Sequence, residues 1–315
     1  MTSSQEYFMI VAKSLNMTQS AKELFISQQS LSYHISQLEK QYHTQLFVRK
    51  PALRLTQAGE HLLVRLEKLA KMERDIQAEM QDFSIVPQGE LIVGMHPSRF
   101  NLLSPLVCPE FRRRVPGTRL KILPGTASQF EQQLLRGELD VFIGVNPHFY
   151  PNTEVQKLLH ETAYVAVPRW MWQEKYGQSA EKTEQLAKRE GLELHEIIDF
   201  PFVDCLVGHS QLQAYVKNYV EGVGLNWNSV ISCSDPIAYL VMENHSQVSA
   251  IFPQGHILIL KQINARRKPE DRLMWFPVRD IDWEDNLCMV WRKDTYVSQT
   301  LQTFIEIVQK AFQKI

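Results

Sequence analysis

Along the first 56 positions, apolar residues fall into short helical bursts separated by polar punctuation. Tyr7, Phe8, Val11, Ala12 and Leu15 recur at helical spacing, and Asn16 closes that helix. Thr18 is the expected N-cap of a second helix, "QSAKELF", with Ala21, Leu24 and Phe25 on one face. Ser27 is the expected cap of a third, "QQSLSYHISQLEKQY", where Leu31, Ile35, Leu38 and Tyr42 share a stripe. Two short helices joined by a tight turn, with small Ala21 allowing close crossing, form a helix-turn-helix pattern. "LFVRKPALRLT" then reads as two short strands around Pro51, a wing carrying Arg49, Lys50 and Arg54.

The texture changes at residue 57. Residues 57–83 hold no proline, and Leu62, Leu66, Leu69, Glu73, Ile76, Met80 and Phe83 step by alternating four and three. That is a heptad seam with one polar member. So long a seam finds no cover on a 56-residue domain, and a second copy of the chain is the simplest partner. An ordinary amphipathic helix packed on its own chain is the alternative. The turn-rich "SIVPQG" follows, and then strands and helices alternate. "ELIVGM" (90–95), "TRLKILPG" and "LDVFIGV" are strands separated by the helices "FNLLSPLVCPEFRRRVP" and "SQFEQQLLRGEL". This alternation predicts a parallel sheet with helical crossovers. Further strands are expected at 163–168, 201–207, 229–234, 247–253, 272–278 and 287–293, before a closing helix over 298–312. The expected organisation is a helical domain 1–58, a linking helix and hinge 59–88, and an α/β domain 89–315. The α/β domain divides into one lobe of about 89–162 with 269–315 and a second of about 163–268.

Composition narrows the picture little. With 44% hydrophobic and 22% charged residues, the chain is an ordinary folded protein. Its net charge of −1 rules out general polyanion binding, so any nucleic-acid affinity must be local. Cys108, Cys205, Cys233 and Cys288 are widely spaced and form no metal-binding pattern. They read as reduced thiols of a cytoplasmic protein. No signal-peptide pattern and no apolar run of membrane-spanning length occurs. No HExxH, GxSxG, P-loop or GxGxxG occurs either, so no catalytic residue, metal or cofactor is expected.

"AKELFISQQSLS", "LE" at 38–39, "LFVR" at 46–49 and "LTQAG" at 55–59 resemble, in order and spacing, the winged helix-turn-helix of LysR-type transcriptional regulators. "GELIVGM", "LLSPLVCPEFRRRVPGTRLKI" and "LLRGELDVFIGV" resemble that family's effector domain, which has the two-lobed fold of periplasmic binding proteins. There are departures. His43 stands where the family usually has a turn glycine, and Gln29 stands where proline commonly follows the first glutamine of the reading helix. "ENHSQVSAIFP" lacks an expected glycine, and the chain is longer than expected between Trp170 and Glu193. That insertion reads as a solvated surface helix or, alternatively, a subunit or polymerase contact.

The resemblance implies a sequence-specific regulator of double-stranded DNA, dimeric or tetrameric, modulated by a small-molecule effector and acting on RNA polymerase. A regulator without effector response is the alternative reading. Base reading falls to Ser27, Gln28, Gln29, Ser32, Tyr33 and Ser36, with Thr18 beside them, since glutamine both donates and accepts at an adenine edge. Residues 1–60 hold six Lys/Arg against four acids, and three of those bases lie in the wing. Phosphate contact therefore falls to Arg49, Lys50 and Arg54. The seam residues Leu62, Leu66, Leu69, Ile76, Met80 and Phe83 are the expected dimer contacts.

In open parallel sheets, ligands bind at strand C-termini and helix N-termini. Ser98, Arg99, Thr126, Ser128, Gly144 and Val145 lie there in the first lobe. Gly208, His209, Ser234 and Asp235 lie there in the second. By the resemblance these loops face the inter-lobe cleft. Hydroxyls with helix amides suit a small anion, and Arg99 is placed to pair a carboxylate. The serines and Thr126 serve equally well as simple helix caps.

Overall fold

The computed structural model describes residues 1–83, 89–206, 210–234, 246–294 and 296–313. The hinge 84–88 and the expected cleft residues Gly208, His209 and Asp235 lie outside them.

Three helices open the chain: α1 (Ser3–Ser14), α2 (Met17–Glu23) and α3 (Gln28–Gln41). Asn16, not Thr18, caps α2, its side chain accepting from Gln19 N at 3.0 Å. Thr18 instead donates from Oγ1 to Gln28 Oε1 at 3.1 Å. Ser27 caps α3 by accepting from Ser30 N. Phe25 leaves the α2 face: its left-handed φ of 55° turns the chain, and its ring is 96% exposed. Phe8, Val11, Ala21, Leu31, Ile35 and Leu38 form the core of this domain. The wing strands β1 (Phe47–Val48) and β2 (Arg54–Leu55) pair antiparallel. His43 has φ 51°, the left-handed conformation that explains a glycine preference at this turn.

The long helix α4 (Gln57–Asp82) begins against this core. Gly59 is required there, because a Cβ would lie 2.2 Å from the Leu46 carbonyl oxygen. The seam divides along its length. Leu66 is 3% exposed within the helix-turn-helix core and so is not free for a second copy, while Leu62 is only partly buried against that core. Leu69, Met72, Ile76, Met80 and Phe83 are exposed. Periodicity alone could not tell the two halves apart, since both neighbours reward the same spacing. The polar side of α4 rests on the α/β domain: Lys71 meets Asp294 at 3.1 Å, Arg74 the Gly137 carbonyl at 2.5 Å, and Asp75 the Arg292 guanidinium at 3.6 Å.

In the first lobe, β3 (Gly89–Met95) pairs in parallel with β4 (Thr118–Leu123) and β5 (Val141–Val145). β11 (Glu284–Arg292) closes this sheet antiparallel to β5. Helix α5 (Pro97–Arg114) packs on the C-terminal helix Gln299–Phe312, with Phe111 edge-on to Phe304; α6 (Ala127–Leu135) follows β4.

Strand β6 runs from Thr153 to Pro168, far beyond the expected 163–168, and belongs to both lobes. Its first part pairs with β11 over Thr153–Thr162, and its second with β10 (Leu273–Pro277) and β9 (Ala250–Pro253). β10 thus lies in the second lobe, and the return to the first lobe comes at β11 rather than at residue 269. β7 (Phe202–Cys205) and β8 (Ser229–Cys233) form a parallel pair, followed and preceded respectively by α9 (Gln211–Gly222).

The longer stretch between Trp170 and Glu193 forms α7 (Arg169–Tyr176) and α8 (Ala180–Glu190). It is not merely a solvated helix: Trp172 stacks on Phe276 at 4.6 Å, and Ala180 and Ala187 are buried. Small alanines on one side let α8 dock while its charged side stays in water.

Candidate nucleic-acid interface and inter-lobe cleft

Helix α3 buries Leu31, Ile35 and Leu38. Helical geometry then sends Gln28, Gln29, Ser32, Tyr33 and Ser36 away from that core, with Tyr33 exposed. His34 faces α1, where Ser4 Oγ lies 3.1 Å from its Nδ1 and the Tyr7 ring stands edge-on at 4.9 Å. It packs the domain, which separates it from its neighbour Tyr33.

The wing's cations are not equivalent. Glu39 Oε1 accepts from Leu46 N and Phe47 N, while its Oε2 lies 3.4 Å from Arg49 Nη2. Glu39 therefore ties the wing to α3 and partly neutralises Arg49. Lys50 and Arg54 are exposed and have no ion-pair partner among the described residues. Each phosphate-contacting cation adds about 0.9 to the salt slope of binding. Replacing Lys50 and Arg54 by alanine should lower the slope of log affinity against log salt by about 2 and weaken DNA binding roughly ten- to hundredfold near physiological salt. Arg49→Ala should cost less. Fluorescence anisotropy across a salt series reads both quantities, and an unchanged slope would remove the wing from the phosphates.

At the first lobe's strand ends, His96 caps α5, accepting from Ser98 N, and its Nδ1 lies 2.8 Å from Ser98 Oγ. Gln129 Oε1 accepts from both the amide and the hydroxyl of Thr126 at the start of α6. Ser128 is exposed in the first turn of α6, and Gly144 and Val145 pair with Cys288 and Leu287. Ser234 is exposed just past β8, its carbonyl accepting from the Cys205 thiol at 3.4 Å. None of the four cysteines is joined in a disulfide.

Arg99 differs from expectation. It is 5% exposed and forks onto Glu161, which is fully buried: Nη1 donates to Oε1 at 2.8 Å, and Nη2 to Oε2. Gly255 N completes the carboxylate's partners at 3.0 Å. The guanidinium is already neutralised, so it does not wait for an effector carboxylate. No local pattern reveals this pair, because its members are 62 positions apart.

The same crossing holds three more groups that the sequence reading missed. Asn146, at φ 44°, donates from Nδ2 to Asp285 Oδ1 at 2.6 Å, and its Oδ1 accepts from Asn286 N. Burial, reinforced by the Glu161 charge, pushes the Asp285 carboxyl up to about 6, against the lowering effects of Asn146 and Arg99. Burial, with Arg99 beside it, drives His256 down to about 3, so that neutral ring donates from Nδ1 to the Pro253 carbonyl at 3.3 Å.

Asp285 carries a sign that can be tested. Its folded pKa lies above the unfolded 3.8, so the folded state binds the extra proton, and stability falls as pH rises from about 4 to about 6. Asp285→Asn should therefore stabilise the protein at neutral pH by on the order of 1 kcal/mol, after allowance for solvent screening, with the gain vanishing near pH 4. Thermal melts across that pH range check it; a gain that persists at low pH would refute it.

Among the described residues, no cluster of His, Cys, Asp or Glu has metal-holding geometry, and no helix is long and apolar enough to cross a membrane.

Residues 3–60 match the family profile described as bacterial regulatory helix-turn-helix protein, lysR family, and residues 85–313 match the LysR substrate binding domain. The Hca operon transcriptional activator HcaR of Escherichia coli is 37% identical over 164 residues, 51% of this chain and 55% of that protein. The chain thus spans about half the length of that relative. The HTH-type regulator YcgK of Bacillus subtilis is 23% identical over 319 residues, covering 98% of this chain and 94% of its own. Among solved structures, full-length OxyR C199D from Pseudomonas aeruginosa superposes with a TM-score of 0.63 at 19% identity, covering 99% of this chain and 95% of that one. Full-length CbnR complexed with its target DNA superposes at 0.56 with 20% identity, covering 98% of each. At these identities the likeness to solved structures bears on the fold alone.

Proposed function

Since the chain belongs to the LysR family of bacterial transcriptional regulators, we propose that it binds double-stranded DNA as a cytoplasmic homo-oligomer and regulates transcription in response to a small organic effector. Domain 1–58 reads DNA, α4 joins two copies, and the two lobes form the effector domain. The observation that carries this reading is the polar outer side of α3 set beside a wing whose Lys50 and Arg54 have no carboxylate partner among the described residues. Gln28, Gln29, Ser32, Tyr33 and Ser36 are assigned to bases, and Ser27 and Thr18 to holding the helix start. Two readers joined through Leu69, Ile76, Met80 and Phe83 gain affinity by effective concentration. Contact of the DNA-bound oligomer with RNA polymerase completes the proposal.

The effector is assigned to the cleft beside Ser98, Thr126 and Ser128, where helix amides and hydroxyls suit a carboxylate. Genome-wide mapping of the full-length protein tests the DNA reading: discrete sites sharing a two-fold sequence support it, and uniform low recovery overturns it. A second reading, regulation without an effector, is favoured by one observation, the internal neutralisation of Arg99 by Glu161. Thermal shift with organic acids and amino acids separates the two. Stabilisation that is lost in Thr126→Ala with Ser128→Ala supports the cleft, and no stabilisation by any of them supports the second reading.

A further inference from the structure

A pocket of about 480 Å³ opens on the second lobe, apart from the cleft residues considered above. Helix α8 supplies one wall with Glu184 and Lys188, and the helix Ile257–Asn264 supplies the other with Ile257 and Lys261. Strand β10 forms the floor, joined by Tyr164 of β6. The stretch that gives this lobe its extra length thus builds one side of the pocket.

Charge is concentrated there. Arg169, Lys188, Lys261 and Arg272 line the pocket against one carboxylate, Glu184. Glu184 is already engaged by Lys188 at 2.6 Å and by Arg169 at 3.8 Å. Lys261 and Arg272 are exposed and have no ion-pair partner among the described residues. Four cations against one acid stand out in a protein whose net charge is −1.

The floor has the opposite character. Trp275 presents apolar surface over the buried Leu273, beside the half-buried Tyr164 phenol, whose pKa burial raises further. The outer edge of β10 adds a directed donor. Asn264 clasps Leu273, accepting from its amide at 2.9 Å and donating to its carbonyl at 2.7 Å, and Leu192 N donates to the Pro277 carbonyl at 2.9 Å. Leu273 and Pro277 therefore point their main-chain groups away from β6. By the two-residue period of a strand, Trp275 between them turns its N–H and C=O the same way, toward the pocket side.

We propose that this pocket is a second ligand site, separate from the inter-lobe cleft, for a small organic anion with a flat apolar body. The body lies on Trp275 and Tyr164, and the carboxylate or similar head group is held by Lys261 and Arg272. The site is positioned to be felt by the rest of the domain. Gln254 lines the pocket next to Gly255, whose amide holds Glu161, and Tyr164 lies three positions from Glu161 on the same strand. The proposal holds whether or not the cleft binds an effector.

The test uses full-length protein labelled with 5-fluorotryptophan, with the Trp275 resonance assigned by Trp275→Phe. 2-Naphthoate, which has a flat body and one carboxylate, is titrated beside its uncharged amide. The expected result is a saturable shift of the Trp275 resonance by naphthoate and none by the amide. Lys261→Gln with Arg272→Gln should weaken that binding at least about tenfold. Thr126→Ala with Ser128→Ala, which alters the cleft, should leave it unchanged. A Trp275 resonance that stays still up to millimolar naphthoate overturns the proposal. So does an equal response to the amide, survival of the shift in the Lys261/Arg272 variant, or its loss in the cleft variant.

Discussion

Ile76→Glu should convert the protein to a monomer and weaken DNA binding roughly a hundredfold or more, leaving each domain folded. Ile76 is exposed on α4 within a stripe of Leu69, Met72, Met80 and Phe83, the last 79% exposed. The opposite side of the helix is occupied by contacts of Lys71, Arg74 and Asp75 with the chain's own α/β domain. An intrachain partner for the stripe is therefore lacking among the described residues, and a second copy brings two glutamates into one apolar seam. Leu66→Ala provides the contrast. Its side chain belongs to the helix-turn-helix core, so it should cost that domain about 2–5 kcal/mol while leaving the oligomer intact. Sedimentation velocity with DNA anisotropy distinguishes the two. A dimeric Ile76→Glu protein would show that the stripe is not the interface.

Glu161→Ala should destabilise the α/β domain by about 3–5 kcal/mol, because it strands the Arg99 guanidinium in a buried site. The pair is held in a fork, and the same carboxylate accepts from Gly255 N. Attraction between buried charges mostly offsets their desolvation, so the intact pair adds little net stability, whereas a broken one is costly. Arg99→Met with Glu161→Leu should therefore recover most of the loss. Urea unfolding of the wild type, Arg99→Met, Glu161→Leu and the double variant forms a closed cycle. Equal destabilisation in single and double variants would mean that the cost comes from lost packing rather than stranded charge.

The reading end of the chain was legible because its determinants are local. Ser27 as a cap, Ala21 at the crossing and the Leu31–Ile35–Leu38 stripe all lie within eighteen positions, and the structure uses them as the spacing implies. The seam was half legible: its period predicted one long helix, while only tertiary contact assigns Leu66 inward and Phe83 outward. The junction of the lobes was not legible. Arg99 with Glu161, and Asn146 with Asp285, are separated by 62 and 139 positions. The free-looking arginine after "HPS" gave no sign of its buried partner. The expected strand 163–168 is shorter than β6 because "QKLLHE" breaks the apolar alternation, although all of those residues except Leu158, which sits at a bulge, pair along β11.

That unbroken β6 has a mechanical consequence. Residues Thr153–Thr162 are stitched into one lobe and Ala163–Pro168 into the other, with no loop between them. The lobes are therefore mounted on one continuous beam rather than on a swivel. Any change in the angle between the lobes must therefore pass through β6 itself, as bending or added twist of a strand hydrogen-bonded on both sides of the junction.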